Sequence, residues 1–377
     1  MNSSLGKHAV EMDGAIEFRG NQPRSTPELA AWLAAEGNVA AIKAGFPIVD
    51  PHHHLFGAPT DRLFYRMEDL LADADCGHRI IGTVYVEAYE SGWRTNGPDA
   101  LRPVGEVEWV AGLTAAPLPL QAGPCQVAAG IVSHADLSLG DAVEEVLDAE
   151  MAASDGRLRG VRHRTATVDG AIGRMTPNAR KPLLLADPGF RRGFRHLKRL
   201  GLSFDSWVYH PQINELVSLA DEFPECRIVV NHMAGPIGVA EFRARRTDVL
   251  REWASGMQAL ARRANVVMKI GGLGMPLLGL GFEHDPTPPT GALLAKAWRP
   301  YIETCVDAFG TSRCMFESNF PVDKQSSSYC ALWNAFKLVT IGWSQEECCD
   351  LFYRTACRTY RLPELESYAQ TILAAGQ

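Results

Sequence analysis

Eight short apolar runs, set roughly 25 to 50 residues apart with helical patterns between most of them, constrain this chain more than any other feature. The first opens at Ile48-Val49 and closes in the run Asp50-Pro51-His52-His53-His54. The others cover 80–87, 127–132, 158–163, 202–208, 227–232, 266–270 and 314–319. Parallel strands need long crossovers, and helices are the usual ones. The alternation therefore predicts an α/β fold, either a closed barrel or a doubly wound open sheet. The count of eight and the polar residues gathered just after the strand ends favour the barrel. No G-x-G-x-x-G follows the first strand, so a dinucleotide fold lacks its fingerprint. The expected architecture is a (β/α)8 TIM barrel over 47–365, with long strand–helix loops. An N-terminal arm and helix (1–46) precede it and a C-terminal tail (366–377) follows.

Several local signals add detail. Thr26 before Pro27 reads as a helix start. Ser344 with Glu347 three residues on reads as the capping box of a last barrel helix over 345–360. The Gly/Pro-bearing stretches 90–103 and 271–290 are candidate lids. The first ten residues are polar and lack an apolar core, and no apolar run is long enough to span a membrane, so a cytoplasmic protein is expected. Its nine cysteines include no C-x-x-C pair and read as free thiols. A net charge of −7 argues against nucleic acid or an anionic membrane as partner. A small-molecule substrate is expected, and the N-terminal helix offers a contact for a homo-oligomer.

The strand ends carry the chemistry. Side chains alternate along a strand, so His52 and His54 share a face and His53 points away. Two imidazoles on one face can grip a metal ion or an oxyanion. After the later strands come Glu87, His134 with Asp136, Arg162 with His163, His210, His232, Lys269, and Glu317 with Asn319 and Asp323. A barrel would converge these on one mouth. The plain alternative for each is a loop side chain satisfied by backbone, and it weighs most for His134 and His163.

The stretches Asp50-Pro51-His52-His53-His54, Gly160-Val161-Arg162-His163, Asn231-His232-Met233-Ala234-Gly235-Pro236 and Met315-Phe316-Glu317-Ser318-Asn319-Phe320-Pro321-Val322-Asp323 together resemble the amidohydrolase-related family, in its lactonase-like branch. The resemblance covers about residues 46 to 365. It implies a barrel enzyme that hydrolyses a small ester, often a lactone. In it His52 and His54 match the H-x-H of the first strand, and His232 the sixth-strand histidine. Arg162 matches an arginine that can hold a substrate carboxylate, with Glu87, His163 and His210 as further substrate-binding candidates. The last strand departs from the pattern: where the family has Ser-Asp, this chain has Ser318-Asn319.

Asn is neutral and is no general base near neutral pH. Glu317 on the same strand face, Asp323 in the following loop, or His232 itself could take the role. Deamidation or a shifted alignment would also account for the difference. The reaction expected is water attack on a carbonyl polarised by His52, His54 and His210, directly or through one divalent ion of which zinc suits three imidazoles best. Metal-free catalysis stays open, because the family is expected to hold both kinds of member. Two other readings compete: a non-oxidative decarboxylase on the same barrel, and a non-catalytic barrel that binds a small ligand.

Overall fold

The computed structural model describes residues 18–57, 64–88, 91–114, 116–176 and 182–376. Eight parallel strands form its centre: β1 (Pro47–His53), β2 (Arg79–Val86), β4 (Gly123–Ser133), β5 (Leu158–Val161), β6 (Ser203–Ser206), β7 (Ile228–Val230), β8 (Val266–Ile270) and β9 (Cys314–Phe316). They pair in that order, and a parallel bridge between His53 and Phe320 brings the two ends together. There Asn319 N–H donates to the His52 carbonyl at 3.0 Å and His54 N–H to the Phe320 carbonyl at 2.8 Å. The result is the expected TIM barrel.

Alternation along the strands sorts the core into two layers. Ile48, Tyr85, Ile131, Phe204, Met268 and Phe316 face outward and pack with helix residues such as Leu147, Leu216, Trp298 and Phe336. Val49, Val84, Val132, Val229, Val267 and Met315 face inward. The inward layer is filled by C-terminal helices: Tyr353, Tyr360, Leu365 and Ala369 belong to it. The helix Pro363–Ala375 is therefore part of the barrel's packing, and the tail boundary expected at 365 falls inside it. The last barrel helix does start on the Ser344–Glu347 box and reaches Tyr360, with one wide turn over Asp350–Arg354.

Other expectations shift. The first helix is capped by Ser25, not Thr26: Ser25 N–H and Oγ–H both donate to Glu28 Oε2, at 2.8 and 2.6 Å. A short β3 (Leu118–Leu120) pairs antiparallel with the start of β4, a hairpin that Pro119 hid from the sequence reading. The stretch 271–290 is packed rather than lid-like. Leu273, Met275, Leu277 and Leu278 are buried, and Gly274 N–H donates to Asp323 at 2.8 Å. The N-terminal segment lies over the same end of the barrel. Asn21 accepts from Leu277 N–H at 3.2 Å, Arg24 binds Gln325, and Trp32 Nε1–H donates to the Asp285 carbonyl at 2.8 Å. The 90–103 lid candidate begins at a position outside the described residues. Its described part runs into the helix Val104–Leu113. Among the described residues no helix is long and apolar enough to cross a membrane.

Candidate active site

The polar side chains of the inner face gather at the carboxyl ends of the strands, all but removed from solvent. Glu317, one residue past β9, sits at their centre. Its Oε1 accepts from His232 Nδ1–H at 2.6 Å and from His232 N–H at 3.1 Å. Its Oε2 lies 2.8 Å from His52 Nδ1 but accepts no hydrogen bond. Two glycines after β8 make room for this arrangement. A Cβ on Gly271 would stand 2.5 Å from the Glu317 carbonyl oxygen, and one on Gly272 would stand 2.6 Å from the His232 Cβ. His232 itself takes the left-handed conformation (φ 52°), unusual for a side chain of this size, and Trp207 packs edge-on against its ring at 4.8 Å.

His54 donates through Nδ1–H to the Val86 carbonyl at 2.8 Å, which leaves its Nε2 bare. That nitrogen lies 3.2 Å from His52 Nε2. Burial, then the charges of Lys269, His232, His54 and Arg162, hold His52 well below the usual imidazole range, so it is neutral and carries one proton. His52 then faces two acceptors, His54 Nε2 on one side and Glu317 Oε2 on the other, and can satisfy one of them. A divalent cation would resolve that shortage. His52, His232 and Glu317 each offer a donor atom within 4.8 Å of the others. Two imidazoles and a carboxylate suit zinc. The residues present fit the ion.

Two fixed cations flank His52, each with its own carboxylate. Lys269 Nζ is 3.3 Å from His52 Nδ1 and donates to Asp205 Oδ2 at 2.8 Å. Arg162 Nη1 is 3.5 Å from His52 Nε2, while its Nε–H donates to Glu87 Oε1 and its Nη2–H to the Glu87 carbonyl, both at 2.6 Å. Burial works to raise the Glu87 pKa, but the Arg162 cation, with His134, Arg164 and His54 behind it, brings it down to about 2. Asp205 also accepts from Asn231 Nδ2–H at 3.1 Å and from Tyr360 O–H at 2.8 Å.

The remaining expected residues lie outside this cluster. Asn319 Nδ2–H donates to Asp323 Oδ1 at 2.7 Å, so these two bond each other rather than the histidines. Burial pushes the Asp323 carboxyl well up. His210 accepts from Ile237 N–H at 3.3 Å and packs edge-on to Phe242, in place of joining His52 and His54. Burial lowers its pKa to about 4. His163 accepts from Leu137 N–H at 3.2 Å and packs against His134 at 5.3 Å, a loop-holding role. His53 points away, as strand alternation requires, and meets Thr83 Oγ1 at 2.8 Å. The sequence alone assigns no role to Lys269 or to Asn231, which stands before the matched His232, and does not single out Asp205 or Tyr360. For Asp205 a signal existed: an acid between the apolar strand residues Phe204 and Trp207. Tyr360 had none, because its helix lies 155 residues from Asp205 in the chain.

The family model described as Amidohydrolase matches residues 49–362. An uncharacterised protein of Sinorhizobium fredii, y4mH, is 32% identical over 337 residues, covering 84% of this chain and 98% of that protein. An L-fucono-1,5-lactonase of Burkholderia ambifaria is 26% identical over 64% of this chain and 74% of its own length. Among solved structures, an amidohydrolase from Burkholderia multivorans with bound zinc superposes with a TM-score of 0.62 at 22% identity, covering 84% of this chain and 99% of that one. A 5-carboxyvanillate decarboxylase from Sphingomonas paucimobilis shares the fold at a TM-score of 0.52 and 12% identity, covering 84% of this chain and 99% of that one.

Proposed function

Because the chain belongs to the amidohydrolase family and is a hydrolase of that superfamily, we propose that it opens a small ester, a lactone of an acidic or sugar-derived substrate, by water attack. One observation carries the reading: Glu317, fully buried at the end of the last barrel strand, bridges His52 and His232 at 2.8 and 2.6 Å. It supplies a carboxylate where Asn319 cannot. The similarity to an L-fucono-1,5-lactonase supports the choice of ester.

In this mechanism Glu317 takes the proton of the attacking water at Oε2, the oxygen that accepts no hydrogen bond. Its Oε1 stays fixed by His232 Nδ1–H and N–H, so the acceptor is already oriented. Arg162 Nη1–H, 3.5 Å from His52 Nε2, is the donor that stabilises charge developing on the carbonyl oxygen. Glu317 then returns the proton to the leaving oxygen. His52, His232 and Glu317, with His54 beside them, would hold a divalent ion, which when bound polarises the carbonyl and acidifies a water.

The test is proton release by the purified protein against sugar-derived, muconate-derived and aryl lactones, with and without a strong chelator. At least one lactone should turn over in the wild type. Glu317→Gln, which keeps the shape, should lower kcat by about 100-fold or more while the protein stays folded. Wild-type-like turnover in that variant would remove Glu317 as base. Silence across the lactones, with carbon dioxide released from a carboxylated aromatic acid, would replace the hydrolase reading by decarboxylation.

A further inference from the structure

At the amino end of the barrel, opposite the histidines, a cavity of about 210 Å³ opens between the starts of β6 and β7 and the end of the helix Thr355–Tyr360. Ser203 and Arg227 come from the two strand starts, and Lys198 from the helix His196–Leu200. Arg358, Thr359 and Arg361 come from the C-terminal side. Four cations thus line the space against one carboxylate, that of Glu225. A water molecule's share of the liquid is about 30 Å³, so the cavity has room for a small organic molecule.

Two of the four cations have acids of their own. Lys198 Nζ lies 3.5 Å from Glu225 Oε1, and Arg358 Nη2–H donates to Asp350 Oδ1 at 3.0 Å. The other two do not. Arg361 donates through Nη1–H to the Gly201 carbonyl and makes no ion pair among the described residues. Arg227 is exposed, and its side chain makes no hydrogen bond or ion pair among the described residues. Burial, then the Arg227 charge, lower the Arg361 pKa, so the two guanidiniums stand close enough to repel. Thr359 adds a neutral donor. The residue is only 4% exposed, yet its hydroxyl makes no hydrogen bond among the described residues. Thr340 and Thr371, also at helical positions, return theirs to the carbonyl four residues earlier, at 3.1 and 3.0 Å. A hydroxyl that forgoes this bond, beside two guanidiniums without a carboxylate, is set for an acceptor from outside the chain.

We propose that this cavity binds a small phosphate ester. The guanidiniums of Arg227 and Arg361 present forks of N–H donors that match phosphate oxygens, and the Thr359 hydroxyl supplies one donor more. A phosphate monoester carries roughly −1.5 to −2 charge near neutral pH, which balances the two arginines. A single carboxylate would leave one of them uncompensated. The organic part of the ester takes up the rest of the space. The bound ester would fasten the helix Thr355–Tyr360 to the starts of β6 and β7. The site stands at the other end of the barrel from the ester-opening centre and does not depend on that reading.

The experiment is calorimetric titration of the full-length protein with glycerol phosphate and with inorganic phosphate, at one ionic strength so that surface charge is screened equally. Glycerol phosphate should bind, and more tightly than inorganic phosphate. Arg227→Ala removes a side chain that has no partner in the fold, and it should weaken that binding about tenfold. Thr359→Val keeps the shape, and it should weaken it several-fold. Lys296→Ala removes an exposed cation outside the cavity lining, and it should leave binding unchanged. Absence of binding in the wild type, or tighter binding of inorganic phosphate than of the ester, would overturn the proposal. So would binding that Arg227→Ala leaves intact, since the phosphate would then sit elsewhere, such as the barrel mouth. An equal loss in Lys296→Ala would also overturn it, by reducing the effect to general surface charge.

Discussion

At the scale of single residues, Arg162 shows how a side chain named for substrate binding is first a structural necessity. It is buried with Glu87, and two of its three nitrogens are committed to that residue. Removing one partner of a buried pair strands the other charge. Arg162→Met should therefore lower stability by about 3–5 kcal/mol near neutral pH. The pH dependence follows from the depressed Glu87 carboxyl. In the wild type its contribution is present above the unfolded carboxylate pKa and is lost as pH falls through about 2. Without Arg162 the buried carboxylate resists ionisation, so the gap to wild type should widen as pH rises from 4 to 7. Urea denaturation at several pH values checks this, and Glu87→Gln in the same background should narrow the gap. Equal stability at pH 7 would mean that the pair contributes nothing.

At the scale of elements, the site depends on how close β8 and β9 come to each other. Gly271 lets the Glu317 backbone pass where any Cβ would collide with it, and a carbonyl oxygen cannot rotate away as a side chain can. Gly271→Ala must displace Glu317 relative to His52 and His232. Displacements of an ångström or less at a reacting group are costly, so kcat should fall about 10- to 100-fold with a stability loss of only about 1–3 kcal/mol. Steady-state kinetics beside thermal unfolding separate the two effects. Unchanged kcat would show that the Glu317 position does not matter to the rate. The same closeness explains why Asn319 is tolerated. At φ 54° it turns toward and donates to Asp323, whose other oxygen accepts from Gly274 N–H and holds the 271–274 turn, while the carboxylate two residues before Asn319 occupies the centre.

At the scale of the whole molecule, the two ends of the barrel are divided between tasks. The carboxyl end holds the ionisable cluster, and the amino end is filled by C-terminal helices reaching into the inner layer. Leu365 illustrates the division: it packs on Gly82 of β2, with the inward valines of the strands. Leu365→Ala should cost about 2–4 kcal/mol in unfolding experiments and leave the KM of any turned-over lactone unchanged. A shifted KM would mean that the two ends are coupled.

The sequence by itself determined the barrel, since eight apolar runs separated by helical patterns leave few other parallel arrangements. It also determined which strand ends carry titratable groups, because strand alternation is a local property: His52 and His54 share a side and His53 does not. Only the tertiary structure decided which of those groups meet. Whether Glu317 or Asp323 stands beside the histidines depends on a left-handed turn at Asn319 and on the two glycines that follow the neighbouring strand. His210 and His163 were drawn into the expected site by their place after a strand, yet each is satisfied by a backbone N–H of its own surroundings. Asp205 and Tyr360 stayed hidden, and Lys269 without a role, for the converse reason. A buried charge is stable only beside its partner, and those partners are brought together by barrel closure and by a helix from the far end of the chain.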